Sequence, residues 1–323
     1  MNTRRDWMLC AVAAAAGFPA WADDAVWPAK PIRLVTGAPG SITEIRARWL
    51  AQRLAQALGQ SVVVEGNSSA GGNVGAQQVA HSAADGYTLL MLHQGTAAIN
   101  PHVYAKPGYD ALRDFAPITR FGHGNLLLTV PIEVPATSVA ELIRMAKNKP
   151  GALNYGSPGI GTPPHVASEM FIRMAGIEAA HIPYKGGGAL MTALLGGQLT
   201  WSMDGLTAQL LHVKSGRLRA LAVTGARRSG ALPEVPTLAE AGVPGYEFEG
   251  WTGIAAPAGT PAAVVARLHA EIERITDTTE ARDWFAASGA DPGLLSPEAF
   301  SQLIRAEHDK LGKVIREAGI KAE

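Results

Sequence analysis

Short apolar runs alternate with longer amphipathic stretches along the first third of the chain. Residues 32–36 form an apolar run that predicts a buried strand. Residues 43–58 predict a helix, because their apolar side chains recur every three or four positions, and Gly59 predicts its end. The alternation continues with a strand at 62–65, a helix at 72–81 and a strand at 88–93. Short strands separated by helices are typical of a parallel, doubly wound α/β sheet.

The same alternation starts again after Val130. The predicted helices are 138–149, 163–175, 189–195 and 207–215, and the predicted strands are 153–156, 181–184, 199–204 and 218–224. We therefore expect two α/β units, each opening with a strand, a corner of glycine and proline, and a helix.

The C-terminal part of the chain predicts no third unit. Residues 251–256 predict one more strand, and residues 261–276 and 281–288 predict helices. Ser296-Pro297-Glu298 predicts the start of a last helix, with a capping serine followed by proline in the first turn. This remainder is too short for another domain of the same type, so we expect it to return to the first one.

That return predicts a discontinuous domain. We expect lobe 1 to comprise residues 23–130 plus 250–323 and lobe 2 to comprise residues 131–249, with chain crossings near Val130 and Gly250. Two lobes joined by two crossings can hinge about them.

Composition supports a large core and excludes one class of partner. Among the 323 residues, 47% are hydrophobic and only 17% are charged, which is typical of a chain that folds around a buried interior. The formal net charge is zero and no run of lysine and arginine occurs, so we expect no nucleic acid to bind.

The first 22 residues predict a signal peptide. Arg4 and Arg5 precede an apolar stretch at 8–18, and residues 20–22 fit an A-x-A cleavage site. The paired arginines also resemble a twin-arginine export motif, and the two export routes stay open. The single cysteine, Cys10, lies inside this segment, so no disulfide, thiol nucleophile or cysteine metal site is expected. We expect a periplasmic protein.

Two similar corners carry the candidate chemistry. The strings TGAPGSITE (36–44) and YGSPGIGTP (155–163) both follow a predicted strand and lead into a helix. Ligands of parallel sheets lie at the carboxyl ends of the strands, and a helix N-terminus there favours an anion. Two such corners facing each other would hold a small carboxylate, whereas the alternative is that both are ordinary turns. Neither matches a phosphate-binding loop.

Two helix caps are predicted at these corners. Thr162 followed by Pro163 predicts a capping threonine with proline at the first helical position. Ser41 and Glu44 fit a capping box, although Glu44 facing the cleft would instead disfavour an anion.

Other candidate residues leave alternatives open. The histidines lack metal-binding spacing, so no metal is expected, but His165 follows the second corner closely enough to reach a cleft. Asp204 ends an apolar strand and is either a ligand contact or a helix cap. Ser68 lies in a stretch that partly mimics a nucleophile elbow, which keeps a serine hydrolase as an alternative.

Taken together, the sequence resembles the periplasmic receptors of tripartite tricarboxylate transporters, also called Bug receptors. The matching strings span nearly all of the chain after residue 26, in order: WPAKPIRLV, APGSITEIRAR, SAGGNVGA, DGYTLLM, AINPHVY, SVAELI, NYGSPGIGTPPHVASEMF, HIPYKGGGALMTALLGGQ, GRLRALAVT, LPEVPTLAEAGVPGYE and WTGIAAPAGTP. The resemblance implies a type II periplasmic binding protein, with two doubly wound α/β lobes that close on a small organic carboxylate. It also implies no catalysis and no cofactor.

The resemblance also implies which residues contact the ligand, since the family binds it between the two corners. On one side these are Ala38, Pro39, Gly40, Ser41 and Thr43. On the other they are Ser157, Gly159, Gly161, Thr162 and His165, with Asp204 nearby and Gln94 as a further contact.

The departures from the family concentrate at the first corner. The family has an aromatic ring where this chain has Gly37, and Ser41 replaces a glycine. A missing ring should enlarge the pocket or loosen its lid. We expect a monomer that serves membrane permease subunits or a sensor kinase, and a signalling protein without a ligand is the remaining alternative.

Overall fold

The structure is a computed structural model that describes residues 27–37, 41–67 and 69–322. The predicted signal peptide therefore lies outside the described residues. So do three of the predicted ligand contacts, Ala38, Pro39 and Gly40, and the candidate nucleophile Ser68.

The first α/β unit forms as predicted from its hydrophobic pattern. Its strands are β1 (Ile32–Thr36), β2 (Val62–Gly66) and β3 (Thr88–His93), and its helices are α1 (Ile42–Leu58) and α2 (Asn73–Ala80). The strands lie parallel in the order β2-β1-β3. Gly59 ends α1 with a left-handed φ of 68°, which confirms the predicted stop.

Two further segments follow that the hydrophobic pattern did not predict. A π-helix at Gly95–Ile99 leads into a short helix, α3 (Asn100–Val103). A 17-residue strand, β4 (Phe115–Pro131), then runs up to the point where the predicted second unit begins. Proline and glycine interrupt its sequence, which hides it from a search for regular alternation.

The second unit also follows its prediction. Its helices are α4 (Val139–Asn148), α5 (Pro163–Ala175), α6 (Gly187–Leu195) and α7 (Leu206–Lys214). Its strands are β5 (Asn154–Ser157), β6 (Ala180–Pro183), β7 (Trp201–Gly205) and β8 (Leu218–Val223). Strand β5 lies parallel to both β6 and β7.

The C-terminal part supplies a strand and three helices close to the predicted bounds, together with a short strand that was not predicted. These elements are β9 (Glu249–Pro257), α8 (Ala262–Thr276), α9 (Thr279–Ala287), β10 (Ala290–Asp291) and α10 (Pro297–Ala318). The Ser296 hydroxyl accepts from the Ala299 N–H at 3.2 Å, so the predicted cap of the last helix is confirmed. None of the described helices combines the length and the hydropathy of a membrane-spanning segment.

All the strands join one mixed sheet, which corrects the expectation of a parallel one. The order is β2-β1-β3-β9-β4-β7-β5-β6, with β8 and β10 also beside β4. Strand β9 is antiparallel to β3 and β4, and β4 is antiparallel to β7 and β8. Strands β4 and β9 lie between the two α/β units, and each runs antiparallel to the other and to its neighbour in the adjoining unit.

Strand β4 changes its pairing partners along its length. Up to Asn125 the strand pairs with β9, and from Leu126 onward it pairs with β7 and β8. This change falls a few residues before the predicted crossing near Val130.

One of the apolar clusters contains residues from both predicted lobes. One cluster packs α1 and α8 against the first half of the sheet, around Leu50, Phe121 and Leu268. Another joins Phe171 and Trp201 of the second unit to Val103 of α3 and Ile315 of α10. The assignment of residues 131–249 to a separate lobe therefore stays a prediction.

Candidate ligand-binding cleft

A cleft of about 640 Å³ lies where the two glycine-rich corners meet. The first turn of α1 lines it from one side, and the loop before α5 lines it from the other. The end of β7 and the central parts of β4 and β9 contribute further residues to its wall. The repeated corners of the sequence thus face one common space.

The first corner is organised by hydroxyl groups. The Ser41 Oγ accepts from the Glu44 N–H at 3.3 Å and lies 2.8 Å from the Thr43 Oγ1. A Cβ added at Gly37 would lie only 2.8 Å from that same Thr43 oxygen. The absent side chain at Gly37 therefore leaves room for the Thr43 hydroxyl at the edge of the cleft.

Glu44 is engaged in an ion pair within the helix. Its Oε1 accepts from Arg48 Nε at 2.9 Å and Nη2 at 2.6 Å, one turn further along α1. Glu44 is not among the residues that line the cleft. The serine half of the predicted capping box is confirmed, and Glu44 offers its carboxylate to an arginine.

The second corner uses its hydroxyls differently from the prediction. Thr162 occupies the cap position with extended backbone, but its side chain makes no capping hydrogen bond to α5. Instead its Oγ1 donates to the Gly159 carbonyl at 2.7 Å, and Ser157 Oγ donates to the same oxygen at 3.0 Å. The predicted N-cap residue with proline at the first helical position is therefore confirmed, but the Thr162 hydroxyl closes the loop upon itself and does not bond to the helix.

His165 lies behind this corner and does not line the cleft. Its ring is buried, stacks on His181 with centroids 3.8 Å apart, and accepts from the Gly161 N–H through Nδ1 at 3.1 Å. Burial, together with His181, lowers the pKa of His165 to about 3. The ring is thus neutral at physiological pH and holds the loop in position.

Asp204 and Gln94 both line the cleft. Asp204 Oδ1 accepts from the Gly205 N–H at 2.8 Å, and burial raises the pKa of its carboxyl to about 6. Gln94 Nε2 donates to the Glu249 carbonyl at 3.0 Å and to Glu307 Oε2 at 2.5 Å. The Gln94 Oε1 is buried without a partner among the described residues.

The predicted contacts thus divide into two sets, as far as the structure describes them. Ser41, Thr43, Gln94, Thr162 and Asp204 line the cleft. Ser157, Gly159, Gly161 and His165 lie in or behind the second corner without lining it. As ligand contacts, all of them stay predictions.

Other residues that line the cleft were not predicted from the sequence. The most distinctive is Arg46, whose guanidinium is buried in the wall beside Thr252 of β9. Its spacing of three from Thr43 was the available signal, since residues at that spacing share one helix face. Trp251 and His93 also line the cleft, and burial lowers the pKa of His93 to about 4.

The polar groups of the cleft favour an anion. Helices α1 and α5 direct their N-terminal ends into it, and hydroxyls and one arginine accompany them. Among the described lining residues, Asp204 alone carries a carboxyl group, and its raised pKa of about 6 means that it takes up a proton more readily than an ordinary aspartate does when an anion binds nearby.

Comparison with known proteins points the same way. A family model described as "Tripartite tricarboxylate transporter family receptor" matches residues 46–320. Among curated proteins, the chain is 34% identical to Protein BugT of Bordetella pertussis over 310 residues, covering 95% of each chain.

Two solved structures resemble this fold over nearly their full length. One is Rpa4515 of R. palustris with adipate, at 36% identity and a TM-score of 0.83, covering 92% of this chain and 100% of that one. The other is MatC (Rpa3494) from Rhodopseudomonas palustris with bound malate, at 28% identity and a TM-score of 0.78, covering 89% and 99%.

Proposed function

This chain belongs to the tripartite tricarboxylate transporter family of receptors, and we propose that it is a periplasmic receptor that binds a small organic carboxylate in the cleft between its two corners. The observation that carries this proposal is the convergence of two helix N-termini on one cleft. Both ends present a positive dipole end, which favours a carboxylate, and the α1 end adds backbone N–H groups. Helix α5 begins with Pro163 and Pro164, which lack an N–H, so its contribution is mainly the dipole.

The ligands of the relatives support the same class of compound. Adipate and malate are both small carboxylates, and each occupies a structure that this chain resembles over most of its length. The Ser41 and Thr43 hydroxyls lie 2.8 Å apart and share one hydrogen bond, so one proton of that pair is left for a carboxylate oxygen, whereas the Thr162 hydroxyl donates to a ligand only by releasing the Gly159 carbonyl. We propose these three residues as direct contacts.

The biological setting follows from the proposal. Residues 1–22 act as the signal peptide that exports the chain, by the general or the twin-arginine route. The mature protein works as a monomer and passes its ligand to membrane permease subunits, or reports it to a sensor kinase. It performs no chemistry on the ligand.

A thermal-shift screen of carboxylates tests the proposal. A ligand that binds only the folded state raises the melting temperature by mass action, by several degrees at concentrations far above Kd. We expect one or a few carboxylates to do so, while the matching amides, which lack the charge, do not. A broad carboxylate panel without any shift would contradict the proposal and favour an interaction protein without a ligand.

The hydrolase alternative has its own control. Purified protein should show no esterase activity, and any trace should be equal in a Ser68→Ala variant. Activity that disappears in that variant would replace the receptor with an enzyme.

A further inference from the structure

Arg46 is a buried cation in the wall of the cleft. Its residue is only 5% exposed, and its Nη1 donates to the Gly122 carbonyl at 3.2 Å and to Thr252 Oγ1 at 2.9 Å. Both acceptors are neutral. The Nε is buried and has no hydrogen-bond partner among the described residues.

The described part of the chain offers this guanidinium no carboxylate partner. Other arginines of α1 are paired, as Arg48 is with Glu44 and Arg53 is with Glu280. Burial alone, without a counter-charge, lowers the pKa of Arg46 to about 10, so the side chain remains a cation at physiological pH. An uncompensated buried charge lowers the stability of a protein, so its presence in a ligand cleft calls for a functional reason.

The surrounding backbone is shaped to admit the guanidinium. A Cβ at Gly122 of β4 would lie 2.6 Å from Phe285 Cε1 and 3.1 Å from Arg46 Cζ, so the glycine leaves space for both the ring and the guanidinium. The Phe285 ring lies on another side, 5.8 Å from Cζ. The charge is therefore held in a fixed position and is not free to swing out into solvent.

We propose that Arg46 binds a second anionic group of the ligand, so that the receptor selects a diacid over a monoacid. One carboxylate is held by the two corners, as proposed above, and this inference rests on that function. The second pairs with the guanidinium, whose planar donors match a carboxylate.

The rest of the wall suits an apolar body between the two charged groups. Much of the lining is hydrophobic, with Ile42, Leu126, Leu206 and Trp251 together with three prolines, Pro158, Pro163 and Pro164. Such side chains offer few partners for hydroxyl groups on a ligand, and burying those hydroxyls unpaired is unfavourable. The expected ligand is an aliphatic or aromatic diacid with few further polar groups.

Calorimetric titration with paired ligands tests this. The probes are the linear dicarboxylates from succinate to sebacate, each compared with the monocarboxylate of the same carbon number. The proteins are the full mature chain, the Arg46→Met variant and the control Arg33→Met. Arg33 pairs with Glu65 and does not line the cleft.

We expect the unmodified protein to prefer the best diacid over its matching monoacid by about 10- to 100-fold, the range for a charged hydrogen bond. Arg46→Met should remove that preference, because the affinity for the diacid should fall much more than the affinity for the monoacid. Arg46→Lys should retain part of the preference, because the charge remains. Arg33→Met should change neither affinity.

Each contrary outcome has a distinct meaning. Equal affinity for diacids and monoacids, or a diacid preference that survives Arg46→Met, would overturn the role of Arg46 and leave the carboxylate receptor intact. Absence of binding by every acid would instead contradict the proposed function. A loss of both affinities together with a lower melting temperature would show that Arg46 is structural. We instead expect the melting temperature of Arg46→Met to be unchanged or higher, because an unpaired charge is removed.

Discussion

Asp204 is the residue of the cleft whose charge is most sensitive to pH. Burial raises the pKa of its carboxyl to about 6, and the Gly205 N–H moderates that rise. Arg46 and His93 also line the cleft, but neither of them shifts the pKa of Asp204. Near neutral pH the protein therefore holds a carboxylate that burial disfavours.

The Asp204→Asn variant should accordingly be more stable at pH 8. A raised pKa means that the folded state binds the proton more tightly than the unfolded state does. The contribution of protonated Asp204 to the free energy of unfolding is then fully present below pH 4 and is lost as the pH rises through about 6. Removing the charge should add about 1–2 kcal/mol at pH 8 and nothing at pH 4.

Thermal unfolding at the two pH values measures this difference. We expect the melting temperature of Asp204→Asn to rise by about 2–6 °C at pH 8 only. The exposed Asp283 provides a control, since Asp283→Asn should leave the melting temperature unchanged at pH 4 and at pH 8. An equal gain at pH 4 would mean that the charge of Asp204 is not the cause.

At the residue scale, the sequence identified groups that belong to local motifs. Ser41, Thr43 and Thr162 were found because each follows a glycine-proline corner and precedes a helix. Arg46 was missed because its burial depends on Gly122 and Thr252, which lie far away in the chain. No local sequence pattern predicts that β4 and β9 pair beside α1.

At the scale of elements, a series of stacked rings packs behind the second corner. Tyr155 of β5 stacks on both His181 and Trp201, with centroids 4.9 and 4.7 Å apart, and His181 stacks on His165 in turn. Gly161 closes the loop with a left-handed φ of 71°. A Cβ there would lie 2.8 Å from Val103 of α3.

Gly161→Ala should therefore be costly for two reasons. The left-handed backbone strains any side chain, and the added methyl collides with a buried valine. Gly176, at the end of α5, separates these causes because its φ is 61° and its surroundings are open. We expect about 1 kcal/mol of destabilisation for Gly176→Ala and about 2–4 kcal/mol for Gly161→Ala.

Chemical denaturation of the two variants measures the comparison. Gly161→Ala should also weaken carboxylate binding, because the shifted loop carries Thr162. Gly176→Ala should bind normally. Equal destabilisation of both would mean that the contact with Val103 relaxes easily.

Most elements were predictable because their signals are local. Apolar stripes, N-cap residues and a following glycine predict helices α1, α5 and α10. The antiparallel centre was not predictable, since β4 pairs with β9, which lies more than a hundred residues later. Its two irregular registers, near Thr119 and Gly122, also break the alternation that marks a strand.

At the scale of the whole molecule, closure of the cleft depends on how the two α/β units move. They are linked through β4 and β9, and one apolar cluster shares residues of both predicted lobes. Residues of α3 and α10 in that cluster contact the second unit. If the predicted hinge operates, we expect it to bend at β4 and β9 while α3 and α10 slide against the second unit.

A crystal structure of the protein with the carboxylate that most raises its melting temperature tests the central claim most directly. We predict one carboxylate within hydrogen-bond distance of both corners, contacting Ser41 or Thr43 on one side and Thr162 on the other. A carboxylate that is bound outside the cleft, or that touches only one corner in a closed molecule, would contradict the claim that the duplicated corner is a two-sided clamp for an acid.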